Sequence, residues 1–310
     1  TKVAQGVPYY IKFVKQFPTV FDLADASEEE VLKLWQGLGY YSRARNLHFT
    51  AKRIVEEYNG HFPETYEGLM KLKGVGDYTA SAIASISFNQ PEPVVDGNVY
   101  RVLSRYFGID IPINASRGIS YFKNLARKVL SHENIRDYNQ GIMEFGAIQC
   151  TPKKPFCLSC PLNEKCVAFQ TNSIEKYPVK LKKGDIKKRF FNYLVVLDDD
   201  GKTHLIKRTG KDIWHNLYEF PLLETPEEIS VNEIKHRLPE ILTLQEPQHV
   251  YQSSDKIIVH KLSHQHLYTK FWIVKTKDRL PNGLSSKELD KYPVPVLIEE
   301  FIKTLKNSYF

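Results

Sequence analysis

All four cysteines of this 310-residue chain, Cys150, Cys157, Cys160 and Cys166, fall within seventeen positions. The pattern is C-x6-C-x2-C-x5-C, with no fifth cysteine left for another site. Four thiols this close tie the chain into a tight local loop, and they suit a metal centre better than a pair of disulfides. The uneven spacing fits a [4Fe–4S] cluster held by four thiolates. Tetrahedral zinc, which favours paired short knuckles, and two disulfides are the alternatives. Pro152, Lys153, Lys154, Pro155 and Pro161 make the intervening segment a turning loop with basic edges.

The chain differs in character on the two sides of this loop. Residues 1 to about 148 read as successive helices. Val7, Tyr10, Ile11, Val14 and Phe17 recur at helical spacing. Ser27 and Glu30 form a capping box before Val31 and Leu32. Helices are also predicted over 42–58, 76–88, 97–107, 116–131 and 137–148, separated by glycines and prolines. After the cysteine loop (149–170) comes a linker (171–189), basic over 176–189. It reads either as a strap along phosphates or as a solvated connector. From Phe190 the pattern turns to strands: 191–197 ends at an Asp-Asp-Asp-Gly turn, and 256–262 and 267–275 are rich in β-branched and aromatic residues. With helices over 227–237 and 294–306, residues 190–310 read as an α+β domain. The whole is a multidomain chain: an all-α domain (1–148), a cysteine loop, a linker and an α+β domain.

A net charge of +7 favours an anionic partner, nucleic acid first. No run of 18 apolar residues marks a membrane span, and the chain opens without a secretory pattern. Together with four reduced thiols, this points to a cytoplasmic setting, nucleoid-associated if bacterial.

Two segments carry further chemistry. Leu72-Lys73-Gly74-Val75-Gly76-Asp77-Tyr78 reads as a tight turn between helices. Its glycines permit positive φ and close backbone approach, and the next helix N-terminus can bind phosphate. Twenty residues on, Val94-Val95-Asp96-Gly97-Asn98 places a carboxylate where a helix opens. Asp96 reads as an N-cap, as a catalytic carboxylate beside an oxocarbenium-like transition state, or as both.

In this order, a helical domain, the Gly74-Val75-Gly76 hairpin, Val-Asp-Gly-Asn-Val and the four cysteines resemble the helix-hairpin-helix DNA glycosylase superfamily. Trp35-Gln-Gly-Leu-Gly-Tyr-Tyr-Ser-Arg-Ala-Arg-Asn-Leu47 and Trp214-His-Asn-Leu-Tyr-Glu-Phe-Pro221 narrow the likeness to the adenine DNA glycosylases, the MutY family. The resemblance implies excision of adenine mispaired with 8-oxoguanine or guanine in duplex DNA, leaving an abasic site in base excision repair, by a monomer. It implies a [4Fe–4S] cluster on Cys150, Cys157, Cys160 and Cys166, structural in role, with Lys153 and Lys154 on DNA phosphate. Asp96 would stabilise the oxocarbenium ion, Asn98 and Tyr78 would line its pocket, and Gly74, Val75 and Gly76 would hold a phosphate. Bifunctional relatives carry a lysine where Tyr78 stands, and tyrosine forms no Schiff base.

Leu38 and Tyr40 match positions beside the lesion, where an aromatic can wedge into the stack. Residues 190–310 resemble the family's Nudix-like 8-oxoguanine reader. Glu224 to Glu240 lacks the carboxylate pattern of a pyrophosphatase. Leu262, Ser263 and His264 match the lesion loop, with Leu262 standing in place of the usual aromatic. Read without the resemblance, His260, His264 and His266 alternate along a strand facing solvent. The family's general acid, a glutamate, is expected before Thr1, so the chain as given is expected to bind DNA but release adenine poorly. Glu28, Glu29 and Glu30 read as a helix first turn. The alternative readings are a bifunctional pyrimidine glycosylase-lyase, a non-catalytic iron–sulfur DNA-binding protein and a nucleotide hydrolase.

Overall fold

Helices fill the first half of the chain. α1 (Val3–Gln16) precedes α2 (Val20–Asp25) and α3 (Glu28–Trp35). Thr19 with Asp22, and Ser27 with Glu30, start the second and third as capping boxes, in which hydroxyl and carboxylate each accept an orphan amide. α4 (Ser42–Tyr58), α5 (Tyr66–Met70), α6 (Asp77–Phe88), α7 (Gly97–Phe107), α8 (Ser116–Val129), α9 (Ile135–Ile148) and α10 (Val167–Gln170) follow. The computed structural model describes residues 3–182, 184–242 and 247–309. Compactness divides them into one unit of Thr1–Lys52 with Gly184–Phe310 and another of Arg53–Lys183. Among the described residues no helix is long and apolar enough to cross a membrane.

In the second unit, Val95, Val99, Leu103, Phe122 and Ala126 from α7, α8 and the loop before α7 form the core. Each large side chain buried there contributes about 1.5–3 kcal/mol.

The first unit is built on a mixed sheet. β1 (Lys187–Leu197), β2 (Ile206–Lys207), β3 (Tyr218–Glu219) and β4 (Leu222–Thr225) are followed by α11 (Val231–Arg237), β5 (Pro247–Gln252), β6 (Ile258–Lys261), β7 (Gln265–Thr276) and α12 (Val296–Tyr309). The order is β4-β1-β7-β5, with β6 also on β7, while β2 and β3 form a separate pair. β1 and β7 run parallel, with Phe191 opposite Thr269 and Val195 opposite Ile273. A parallel pair buried on both faces needs a near-continuous apolar run, which Tyr193–Leu197 supplies. Phe191, Tyr193 and Val195 pack with Phe271, with Leu297 and Phe301 of α12, and with Val31 and Leu32 of α3. Leu194, Val196 and Trp272 pack on the other face with Ile234 of α11.

Two features depart from expectation. β1 starts at Lys187, inside the basic stretch read as linker, because Arg189 is 7% exposed and paired with Asp212 and Glu224. The residues before Lys52 group with the sheet because Val31 and Leu32 are wholly buried in its core.

Candidate functional site

Asp96 caps α7. Its Oδ1 accepts the amide N–H groups of Asn98 and Val99, each at 2.8 Å, and its Oδ2 accepts Asn98 Nδ2, also at 2.8 Å. These three donors fix the plane of the carboxylate, so the cap and the proposed catalytic group are one side chain. Asn98 is fixed in turn. Its Oδ1 accepts Arg101 Nη2 at 2.9 Å, and the same buried guanidinium donates to the carbonyls of Gly146 and, at 2.7 Å, Cys150. A continuous chain of hydrogen bonds therefore links Asp96 to the first cysteine. Gly146 permits it, because a Cβ there would lie 2.7 Å from Asn98 Cβ. The sequence reading named Asp96 and Asn98 and missed Arg101 and Arg105. Their signal is an i, i+4 pair of arginines on the otherwise apolar stripe of α7, and arginine is rarely buried without partners.

The turn before α6 separates its two glycines. Gly74 has φ +80°, a conformation that disfavours any side chain. Gly76 has an ordinary φ of −96°, and a Cβ built there meets nothing within 4 Å. No side chain caps α6 at Gly76. Uncapped amides at the start of a twelve-residue helix suit an anion. Asp77, next along, is neutralised by Lys123 at 2.9 Å and accepts from Tyr66 Oη at 2.8 Å. Lys123 also donates to Ser81 Oγ at 2.6 Å and to the Pro93 carbonyl at 2.9 Å. One ammonium thus ties the turn to the loop that leads to Asp96. Val75 is half-buried and Tyr78 is 47% exposed. Among the described residues no hydrogen bond or ring contact joins Tyr78 to Asp96 or Asn98.

The four thiols border one enclosed space, together with Arg105, Phe156 and Phe169. None is disulfide-bonded. They do not converge on a point: among the described residues no three His, Cys, Asp or Glu side chains are placed to hold a single ion. Tetrahedral zinc, with Zn–S bonds of about 2.3 Å, would draw all four sulfurs to within about 4 Å of each other. Four thiols around one space form a donor set whose chemistry suits an iron–sulfur cluster, which binds through four cysteine thiolates. Burial, then the thiols of Cys150, Cys160 and Cys166, push the Cys157 thiol up, so four thiolates together require a compensating positive charge. Arg105, 3% exposed, supplies part of it: Nη1 donates to Cys150 Sγ at 3.4 Å and to the Thr151 carbonyl at 2.8 Å. Lys153 and Lys154 lie exposed on this loop, the second at φ +47°.

The first unit contains a separate cleft of about 510 Å³. Leu38 and Tyr40 line one part of it, and Leu262, Ser263, His264, Trp214 and His260 line another. Tyr40 is 65% exposed, at φ +48°, with the Arg43 guanidinium 5.1 Å from its ring centroid. Ser263 and His264 are exposed at the β6–β7 turn, which the Leu262 amide closes by donating to the Gln265 carbonyl at 2.8 Å. His260 is half-buried: its ring meets the Trp214 ring at 5.7 Å, and burial pulls its pKa down. His266 is half-buried. The two parts meet because Glu29 accepts Tyr218 Oη at 2.7 Å and Lys207 Nζ at 2.9 Å, and Glu28 accepts Asn216 Nδ2. Glu30 serves its capping box. Asp212, also on the cleft, is opposed by burial but bonded by Arg189 and Arg208, and it is held well below the usual carboxylate range. Near α11, Glu233 caps the helix with Ser230, Glu240 pairs with Arg237, and Glu224 pairs with Arg189. Thr1, expected to follow the acid-bearing segment, lies outside the described residues.

Residues 1–117 match the family model described as HhH-GPD superfamily base excision DNA repair protein, and residues 192–304 match a NUDIX domain. An adenine DNA glycosylase of Buchnera aphidicola subsp. Baizongia pistaciae is 34% identical over 286 residues, covering 89% of this chain and 76% of the relative. The chain belongs to the adenine DNA glycosylase family. A second family member, from Buchnera aphidicola subsp. Schizaphis graminum, is 40% identical over 227 residues. That match covers 73% of this chain, which spans 65% of the relative's length. The solved structure of a thermostable thymine-DNA glycosylase aligns at a TM-score of 0.52 and 29% identity, over 55% of this chain and 79% of that one. The multidomain reading, a helical glycosylase domain followed by a Nudix-like domain, therefore stands.

Proposed function

We propose that the protein is a monofunctional DNA glycosylase that hydrolyses the N-glycosidic bond of adenine paired with 8-oxoguanine or guanine in duplex DNA. The observation that carries this is the Asp96 carboxylate, held in one orientation by three N–H donors at the start of α7. Breaking the bond places positive charge on the sugar, and a fixed carboxylate stabilises it without reorganising. The adenine must leave the stack to come within reach. Gly74, Val75 and Gly76 bring amides to a phosphate, and Lys153 and Lys154 add charge. Tyr78, in place of a lysine nucleophile, leaves water to take the sugar carbon, so the product is an abasic site with an intact strand. Cys150, Cys157, Cys160 and Cys166 would hold a [4Fe–4S] cluster, which when bound cross-links the loop that carries Lys153 and Lys154. In the cleft, Ser263 can donate to or accept from 8-oxoguanine, His264 flanks it, Leu262 packs on the base, and Leu38 and Tyr40 fill the space beside it. Around α11, Glu224, Glu228, Glu233 and Glu240 are committed to caps and ion pairs, which supports a binding domain rather than a pyrophosphatase.

Single-turnover adenine release from a duplex with adenine opposite 8-oxoguanine tests this in the full-length protein. Asp96→Asn should lower the rate by about 10²–10⁴-fold with DNA affinity retained. Borohydride should trap no covalent complex. Trapping, or strand scission without heat or alkali, would favour the glycosylase-lyase reading.

A further inference from the structure

The turn that carries Trp214 is strained. Trp214 has φ +59° and Asn216 φ +64°. Asparagine visits this region at small cost, but a bulky residue does so only when its surroundings force it. Glycine would adopt the same backbone freely, so a tryptophan held there points to a need for its ring. Within residues 208–217 the turn is closed by backbone hydrogen bonds: the Asn216 amide donates to the Arg208 carbonyl at 2.8 Å, and the Leu217 amide to the Trp214 carbonyl at 3.0 Å. Two further ties come from helices of the same unit. Arg45 Nη1, on α4, donates to the His215 carbonyl at 2.8 Å, and Glu28 of α3 accepts from the Asn216 amide group. The indole so placed is 9% exposed and meets the rings of both Phe191 and His260 edge-on. His260 is two residues before Leu262, on the strand that leads into the Leu262–His264 turn.

We infer that Arg45 is a positioning residue for lesion reading: through the His215 carbonyl it holds the strained Trp214 turn, whose indole seats His260 and with it the Leu262–His264 loop. The inference rests on the reading of the cleft proposed above. Arg45 borders the same cleft, and its guanidinium is engaged by the His215 carbonyl, so its role there is to hold the turn. Its loss therefore affects discrimination between 8-oxoguanine and guanine more than adenine release itself.

The test compares Arg45→Met, Arg45→Lys, Asn216→Gly and Ser263→Ala in the full-length protein, using duplexes with adenine opposite 8-oxoguanine or guanine. The readout is the ratio of the two single-turnover rates, alongside melting temperature. Arg45→Met should lower the ratio about tenfold, the scale of a small misplacement of contact groups. Arg45→Lys, which can still donate to the carbonyl, should keep most of it. Asn216→Gly relieves the strain but loses the tie to Glu28, and should fall between. If Arg45→Met slows both duplexes equally, or leaves the ratio unchanged while Ser263→Ala lowers it, Arg45 is structural only and the inference fails. If Ser263→Ala also leaves the ratio unchanged, the reading of the cleft fails first, and the inference falls with it.

Discussion

Gly146 shows how closely the geometry around Asp96 and Asn98 depends on one missing methyl group. Its position on α9 lies under Asn98, and an added Cβ would sit 2.7 Å from Asn98 Cβ and 2.9 Å from the Asn98 carbonyl oxygen. Neither neighbour can yield freely, because Asn98 bridges Asp96 and Arg101. Gly146→Ala gains helix propensity, yet overpacking of this kind costs about 1–3 kcal/mol and should outweigh it. The expected outcome is a lower melting temperature together with slower adenine release, since the displaced Asn98 would turn the carboxylate. Restored release at reduced temperature without restored geometry would separate a stability effect from a catalytic one. An unchanged rate in a well-folded variant would show that the Asn98 contact does not set the orientation of Asp96. Arg189 makes the same point about charge. Its guanidinium, buried between Asp212 and Glu224, should cost about 2 kcal/mol to replace by methionine, less than a fully buried pair because both carboxylates keep partial access to water. Chemical denaturation of the Arg189→Met variant measures it.

At the scale of elements, the two glycines before α6 make opposite predictions. Gly74→Ala forces a side chain into φ +80° and should destabilise the protein by about 1–2 kcal/mol. Gly76→Ala meets no atom and no forbidden dihedral, so the melting temperature should hold or rise slightly. If a DNA phosphate approaches this backbone, the second variant should nevertheless bind duplex DNA more weakly, and equal affinity would remove Gly76 from the interface. Such local features were legible in the sequence. The helices over 42–58 and 97–107 appear with those bounds, and Asp-Gly-Asn announces a cap. What was illegible depends on distant partners. Arg101, Arg105 and Arg189 read as surface charge until Cys150, Thr151 and Asp212 are seen around them. The parallel pairing of β1 with β7 joins residues far apart in the chain, and no local pattern encodes it. β5 is polar and opens on a proline, so neither alternation nor β-branching marked it. Leu38 and Tyr40 were singled out, as were Leu262 to His264, but only the fold puts them on one cleft.

At the scale of the whole molecule, charge and protonation govern the conditions under which the protein works. The duplex binding proposed above should depend steeply on salt, with a slope of roughly −0.9 in log–log form per phosphate neutralised. Replacing both Lys153 and Lys154 by alanine should lower affinity and flatten the slope by about two, and an unchanged slope would place the loop away from the backbone. Stability should depend on pH through three histidines of the first unit, His48, His204 and His260, all shifted below the ordinary histidine value of about 6.5, with burial as the largest cause. Lys52 adds to the depression of His48, while the Ala26 carbonyl and Glu28 oppose it, and Asp198 opposes that of His204. A folded-state pKa below the unfolded one means that the unfolded chain binds protons first. The stabilisation is therefore complete above pH 6.5 and is lost as the pH falls through the lowered values. Melting temperature should hold above about pH 6.5 and fall as the pH is lowered below it. His260→Gln, which removes one titrating ring beside Trp214, should reduce that drop. A flat profile over this range in the wild-type protein would mean that the three rings gain protons in place, and that the packing around His260 is looser than its contact with Trp214 implies.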